Sequence, residues 1–238
     1  SDRINPNPPF NKPDIGFHYD IVHGTVDGNL TINQSTTLEP GRILSYTPGS
    51  SLSFSGGEFK AVGYPHKSMR FIYMNATSDR MEDPRKGTRP YALLFSGAGT
   101  GFELDFCRFE FLTTCVDAMN EGTQIIRNSV FCENQLGILG GIHGVAMKAH
   151  NCLFNHNTVA VDLDILYESD PRGMEIGLVG NTFHANTIGF YTISEGMWGK
   201  AFRILAENNL FSSNATAVST SYDLSYFPSI SRNNIFWN

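Results

Sequence analysis

Apolar and polar residues alternate along this chain in short bursts and never settle into a helical stripe. Asn29-Leu30-Thr31-Ile32, Arg42-Ile43-Leu44-Ser45-Tyr46, Ser51-Leu52-Ser53-Phe54, Glu58-Phe59-Lys60-Ala61-Val62-Gly63 and Met69-Arg70-Phe71-Ile72 repeat with period two, the mark of a strand with one face buried. Pro-Gly and Gly-Gly turns separate them, as in Leu38-Glu39-Pro40-Gly41,. The same alternation recurs in Val116 to Ala118, Gly137 to Leu139, Val159 to Ile165, Ile188 to Ile193 and Ala217 to Ser219. The pattern predicts an all-β chain of many short strands.

Between these bursts a motif recurs. Asn128-Ser129-Val130-Phe131-Cys132-Glu133-Asn134 matches Asn151-Cys152-Leu153-Phe154-Asn155-His156-Asn157, then Gly180-Asn181-Thr182-Phe183-His184-Ala185-Asn186 and Asn208-Asn209-Leu210-Phe211-Ser212-Ser213-Asn214. A further copy is Asn233-Asn234-Ile235-Phe236-Trp237-Asn238, and a degenerate one surrounds Phe109. The phenylalanines are spaced by 22, 23, 29, 28 and 25 residues. A fixed motif with a variable period implies a constant rung joined by loops of differing length. Short strands at this spacing suit a parallel β-helix, in which every coil pairs with the next. Stacking then predicts an interior column of Phe131, Phe154, Phe183, Phe211 and Phe236, each ring pair adding about 0.5–1.5 kcal/mol beyond its burial. A second column, of Asn134, Asn157, Asn186 and Asn214, is predicted at a corner, where amides hydrogen-bond from coil to coil.

With the repeat in view, residues 25–238 resemble the right-handed parallel β-helix, pectin-lyase-like superfamily. The resemblance implies one solenoid domain of about eight or nine coils. The opening steps Leu38-Glu39-Pro40-Gly41 and Gly63-Tyr64-Pro65-His66-Lys67 are similar to those of bacterial β-helix proteins, and the polar stretch from Asn75 to Pro90 reads as one long excursion between coils. Residues 1–24 form an extended N-terminal segment, a cap or a linker. Its Asn7-Pro8-Pro9-Phe10-Asn11-Lys12-Pro13-Asp14-Ile15-Gly16-Phe17-His18-Tyr19 resembles a segment that follows the last coil in large secreted bacterial β-helix proteins. Two expectations follow: β-helix modules in tandem, or subunits joined head to tail. In the second, Phe10, Ile15, Phe17 and Tyr19 of one protomer cover Phe236 and Trp237 of the next, because a solenoid must hide its end coils.

Composition narrows the partners. Hydrophobic residues make up 41 % of the chain and charged residues only 17 %, so Asn, Ser, Thr and Gly must cover the surface. A net charge of −6 without a basic stripe argues against nucleic acid,. No apolar run approaches the roughly 20 residues of a membrane span. The cysteines, Cys107, Cys115, Cys132 and Cys152, include no C-x-x-C pair and read as buried free thiols,. Cys107 and Cys152 share a repeat position two coils apart, too far for a disulfide.

Candidate chemistry is sparse. Arg127 and His150 share the position four before the phenylalanine, with Lys148 two residues ahead of His150. Asp117 and Asp162 share the position eight after it, and Asp164 lies on the same strand face as Asp162. Together these residues can be written as a polysaccharide-lyase site, with carboxylates for calcium and a Lys or Arg as base. A solvated outer face accounts for them better, since no compact acidic triplet lies near a basic pair. No other cofactor and no resident metal is implied. His156 and His184, on neighbouring coils, read as hydrogen-bonded surface groups. Glu168, Asp170, Arg172 and Glu175 rim the longest insertion, and Tyr191, Trp198, Tyr222 and Tyr226 are aromatics outside the Phe column, of the kind that stack on sugar rings. Asn29, Asn33, Asn75 and Asn214 are N-glycosylation triplets,. The reading that follows is an extracellular, self-associating structural module rather than an enzyme. The alternatives are a polysaccharide lyase or hydrolase, and a non-catalytic glycan-binding module.

Overall fold

A computed structural model describes residues 22–73, 88–96, 99–118, 122–140, 146–166, 174–195, 202–220 and 230–237. These residues form strands and connecting turns in a parallel β-solenoid with three sheets. The first sheet stacks nine strands in sequence order: Gly24–Val26, Ile43–Tyr46, Met69–Tyr73, Cys107–Glu110, Val130–Cys132, Leu153–Asn155, Thr182–His184, Leu210–Ser212 and Ile235–Trp237. The second stacks Asn29–Ile32, Ser51–Phe54, Tyr91–Phe95, Thr114–Ala118, Leu136–Gly140, Val159–Leu166, Ile188–Glu195 and Thr216–Thr220. The third stacks Thr36–Leu38, Glu58–Val62, Gly101–Asp105, Gln124–Arg127, Ala146–His150, Met174–Val179, Phe202–Glu207 and Ile230–Arg232. The chain visits the three sheets in turn and returns one rung further along, so each strand pairs in parallel with those a coil away.

The predicted phenylalanine column is present and longer than expected. Phe71, Phe109, Phe131, Phe154, Phe183, Phe211 and Phe236 stack with ring centroids 4.6–5.0 Å apart and planes within 10° of parallel. Their spacing is the strand spacing itself, so one in-register rung per coil sets the ring contact. Below Phe71 the column continues through Leu44 to Gly24. A separate cluster of Phe54, Phe59, Phe95 and Phe102 fills the interior of the early coils.

The predicted asparagine column is also present, and it is buried. The Oδ1 atoms of Asn157, Asn186 and Asn214 each accept hydrogen bonds from the backbone N–H and the side-chain Nδ2 of the asparagine one coil below, at 2.9–3.1 Å, and that of Asn134 accepts from the Leu112 N–H at 2.9 Å. Each Nδ2 also donates to the carbonyl of a column phenylalanine: Asn134 to Phe109, Asn157 to Phe131, Asn186 to Phe154 and Asn214 to Phe183. Buried amides are thereby satisfied at the corner where the backbone leaves the first sheet.

A second ladder, of Asn181, Asn209 and Asn234, does the same work at the opposite end of the short strand. Sequence reading quoted these residues but assigned them no role. In the earlier coils Cys107, Ser129 and Cys152 hold the equivalent places, and the N–H of Cys152 donates to Asn181 Oδ1 at 2.9 Å. The four cysteines are free. Burial pushes the Cys152 thiol up to about 12, and raises Cys107 and Cys115 as well. Cys132 departs from the expectation of burial: it follows Phe131 on the strand, so it points outward and is half-buried,.

Left-handed residues flank the short first-sheet strands from Cys107–Glu110 onward, on both sides of all but Ile235–Trp237, which has one before it. Before them stand Phe106, Asn128, Asn151, Gly180, Asn208 and Asn233; after them stand Phe111, Glu133, His156, Ala185 and Ser213, all with φ between 49° and 67°. All of these but Asn233 turn the N–H onto a carbonyl of the next coil, as in Glu133 to Asn155 and Ala185 to Ser212, both at 3.0 Å.

Candidate functional site

The residues proposed from sequence for catalysis divide between two sheets. Arg127 and His150 are direct neighbours in the third sheet, and Lys148 sits on the same strand as His150, opposite Ile125 and Gly177. Gly177 leaves a dent there, since a Cβ added to it would lie 3.7 Å from Lys148 Cγ and 3.9 Å from His150 Nε2. Arg127 forms ion pairs with Glu103 and, at 3.2 Å, with Asp105. Desolvation, then the charges of Lys148 and Arg127, lower the His150 pKa. Asp162 belongs to the second sheet, between Leu139 and Tyr191, with Asp117 one rung beyond Leu139. Asp164 pairs with Ile193 along that strand. The basic trio and the aspartates therefore occupy different sheets. Among the described residues no group of three or more His, Cys, Asp or Glu is placed to hold a metal ion.

His156 and His184 are neighbours, with ring centroids 6.1 Å apart in an edge contact. Nδ1 of His156 bonds Asn155 at 2.9 Å and that of His184 bonds Ser212 at 2.9 Å. They are hydrogen-bonded surface groups. Glu168, Asp170, Arg172, Trp198, Tyr222, Tyr226 and the N-terminal Phe10, Ile15, Phe17 and Tyr19 lie outside the described residues, as does most of the expected 75–90 excursion.

Two other features stand out from the regular surface. The first is the end rung Ile235–Trp237. Ile235 and Phe236 are each 60 % exposed and Trp237 is 71 % exposed. One face of Phe236 rests on Phe211 at 5.0 Å.

The second is a shallow cleft of about 430 Å³ on the first sheet, lined by Gly41, Ile43, His66, Lys67, Ser68, Arg70 and Arg108. Its floor follows from the predicted turns. Gly41 takes φ +81°, and a Cβ there would fall 2.6 Å from Lys67 Cγ, so glycine lets the lysine stem cross the turn,. Lys67 is held by a reciprocal backbone pair with Tyr64 at 3.0 and 3.2 Å. Arg70 and Arg108 are directly opposed on neighbouring coils. Both reach the Glu110 carboxylate, at 2.9 and 2.8 Å. Burial alone would raise the Glu110 pKa, but hydrogen bonds and charge from Arg108 and Arg70 outweigh it and hold the carboxyl below its ordinary range. Sequence reading missed this cleft because its cations come from separate coils. The one signal was an arginine immediately before two of the column positions, Phe71 and Phe109.

The fold and these features define a parallel β-solenoid, the class to which the chain is assigned. Comparison with protein-family models, with curated proteins and with solved structures returns no match. No helix among the described residues is long and apolar enough to cross a membrane.

Proposed function

We propose that this chain is an extracellular structural module of the pectin-lyase-like β-helix superfamily, and that it associates end to end. The observation that supports the reading is the unbroken in-register stacking of parallel rungs from Gly24–Val26 to Ile235–Trp237, an arrangement to which further coils can add. All strands within each sheet run parallel, so the outer edge of the last rung has the hydrogen-bonding pattern that the outer edge of the first rung complements. Side-chain columns agree with this fit. Gly24 occupies the first place of the column that Phe236 ends, so a second copy set below it brings a ring against bare backbone rather than against another side chain. Burying Ile235, Phe236 and Trp237 at about 25 cal/mol per Å² favours such a contact by several kcal/mol before association costs. A heterologous contact of this kind continues into filaments. Phe10, Ile15, Phe17 and Tyr19 of the N-terminal segment are the residues that the sequence pairs with Phe236 and Trp237 of the next copy. The lyase reading draws no comparable support, since its basic and acidic candidates lie on different sheets.

Light scattering over a range of protein concentrations tests this reading. The native chain should grow in mass with concentration, and Phe236→Ser with Trp237→Ser, or removal of residues 1–20, should yield monomers. A native chain that stays monomeric at every concentration, or variants that assemble as it does, overturns the proposal.

A further inference from the structure

On the outer face of the first sheet, the place after each column phenylalanine is held by Cys132, Asn155, His184 and Ser212 on successive coils. The left-handed corner beyond it is held by Glu133, His156, Ala185 and Ser213. Each row carries one histidine, and the two fall on neighbouring coils, joined by the His156 N–H donating to the His184 carbonyl at 3.1 Å. At the corner above His156 stands Ala185, whose side chain ends at Cβ and leaves room between the two rings. His156 is exposed, His184 is half-buried, and their ring centres lie 6.1 Å apart.

The contacts at Nδ1 decide what the far side of each ring can do. Asn155 turns its Nδ2 toward the Cys132 sulfur, so the Oδ1 that meets His156 Nδ1 at 2.9 Å can only accept,. Neutral His156 therefore carries its proton on Nδ1 and a bare lone pair on Nε2. The Ser212 hydroxyl meets His184 Nδ1 at 2.9 Å, and when it accepts, His184 takes the same form. Among the described residues neither Nε2 has a hydrogen-bond partner. A hydrogen bond at one ring nitrogen that leaves the other free is how proteins orient metal-binding histidines.

We propose that His156 and His184 form a surface site for a divalent transition-metal ion, zinc or nickel, bound through their two Nε2 atoms. Two metal–nitrogen bonds of about 2.0–2.1 Å, with half an imidazole ring beyond each, span about the separation observed between the ring centres,. No third protein ligand stands with them among the described residues, so water fills the remaining positions. A pair of imidazoles suits zinc and nickel, whereas calcium and magnesium require oxygen ligands. The site lies on the flank of the solenoid, so its test is independent of end-to-end association.

Calorimetric titration of the full chain with zinc chloride, nickel chloride and calcium chloride, in a buffer that does not bind metals, tests the site. One-to-one binding of zinc or nickel is expected, with none of calcium. Asn155→Ala, which removes the partner of His156 Nδ1, should weaken binding about 10–100-fold, and His156→Gln and His184→Gln should each weaken it further, because a ligand itself is lost. His66→Gln, at an exposed histidine elsewhere, should bind as the native chain does. Thermal unfolding without metal keeps the comparison to folded variants. Added zinc should raise the melting temperature of the native chain and leave those of the His156 and His184 variants unchanged. A native chain that binds neither zinc nor nickel, unchanged affinity in either the His156 or the His184 variant, or loss of binding in His66→Gln overturns the proposal.

Discussion

The coils from Cys107 onward and the coils before them build one core by different means. In the later coils identical side chains repeat at identical places: phenylalanine over phenylalanine, asparagine over asparagine, a left-handed residue at each corner. In the opening coils such matching is short, with Phe54 beside Phe95 and Phe59 beside Phe102 in register, and the rest of the interior is filled by unlike residues. Tyr46, Phe54, Phe59, Met69 and Phe95 are fully buried there, and left-handed corners fall to Gly28, Gly41, Gly49 and Gly57. Columns specify a rung through side-chain hydrogen bonds that only the correct register satisfies; the opening coils specify it through volume and turn chemistry. The second means tolerates irregularity, and the basic cleft lies where the two kinds of coil meet.

That contrast can be broken most forcefully at the phenylalanine column. Phe154→Ala should cost about 4 kcal/mol, because a fully buried ring is lost from between two neighbours,; urea unfolding measures it. Next comes the amide ladder. Asn157→Leu strands the Asn134 N–H and the Phe131 carbonyl, and should cost about 3 kcal/mol from two or more unsatisfied buried groups,. Asn29→Leu, at an exposed place in the opening coils where the amide meets Ser51 at 2.8 Å, should change stability by less than about 0.5 kcal/mol in the same assay,. Equal costs at the two sites would erase the distinction between halves.

Smaller effects have the opposite sign. The Tyr46 hydroxyl is buried without a hydrogen-bond partner. Tyr46→Phe should raise stability by about 1 kcal/mol, since the desolvation penalty disappears. Ala185 holds φ 52°, so Ala185→Gly should gain about 0.5 kcal/mol, the strain relieved exceeding the added chain entropy. Thermal unfolding resolves both.

Much of this was legible in the sequence, and for a physical reason. Asn29–Ile32 and Ser51–Phe54 emerge with the same bounds that alternation gave them, and Glu58–Val62 buries Phe59 and Ala61 while exposing Glu58 and Lys60, burial written into every second residue,. Asn134, Asn157, Asn186 and Asn214 were readable because a ladder needs the same residue at each rung. The third-sheet strands Gln124–Arg127, Ala146–His150 and Met174–Val179 were not singled out; their positions drift against the motif as loop lengths vary. The corner residues Phe111, Glu133, His156, Ala185 and Ser213 share a conformation but no chemistry, so no pattern announces them. The cleft was hidden likewise, since Lys67, Arg70 and Arg108 converge only once the coils are stacked.

The central claim is that matching side chains lie one coil apart and in register. Nuclear Overhauser contacts among selectively labelled phenylalanine rings test it most directly. The account predicts contacts from Phe154 to both Phe131 and Phe183, spaced 4.8 and 4.9 Å between centroids, with none from Phe154 to Phe211. Rings of Phe131, Phe154 and Phe183 that show no mutual contacts in the folded protein would contradict it.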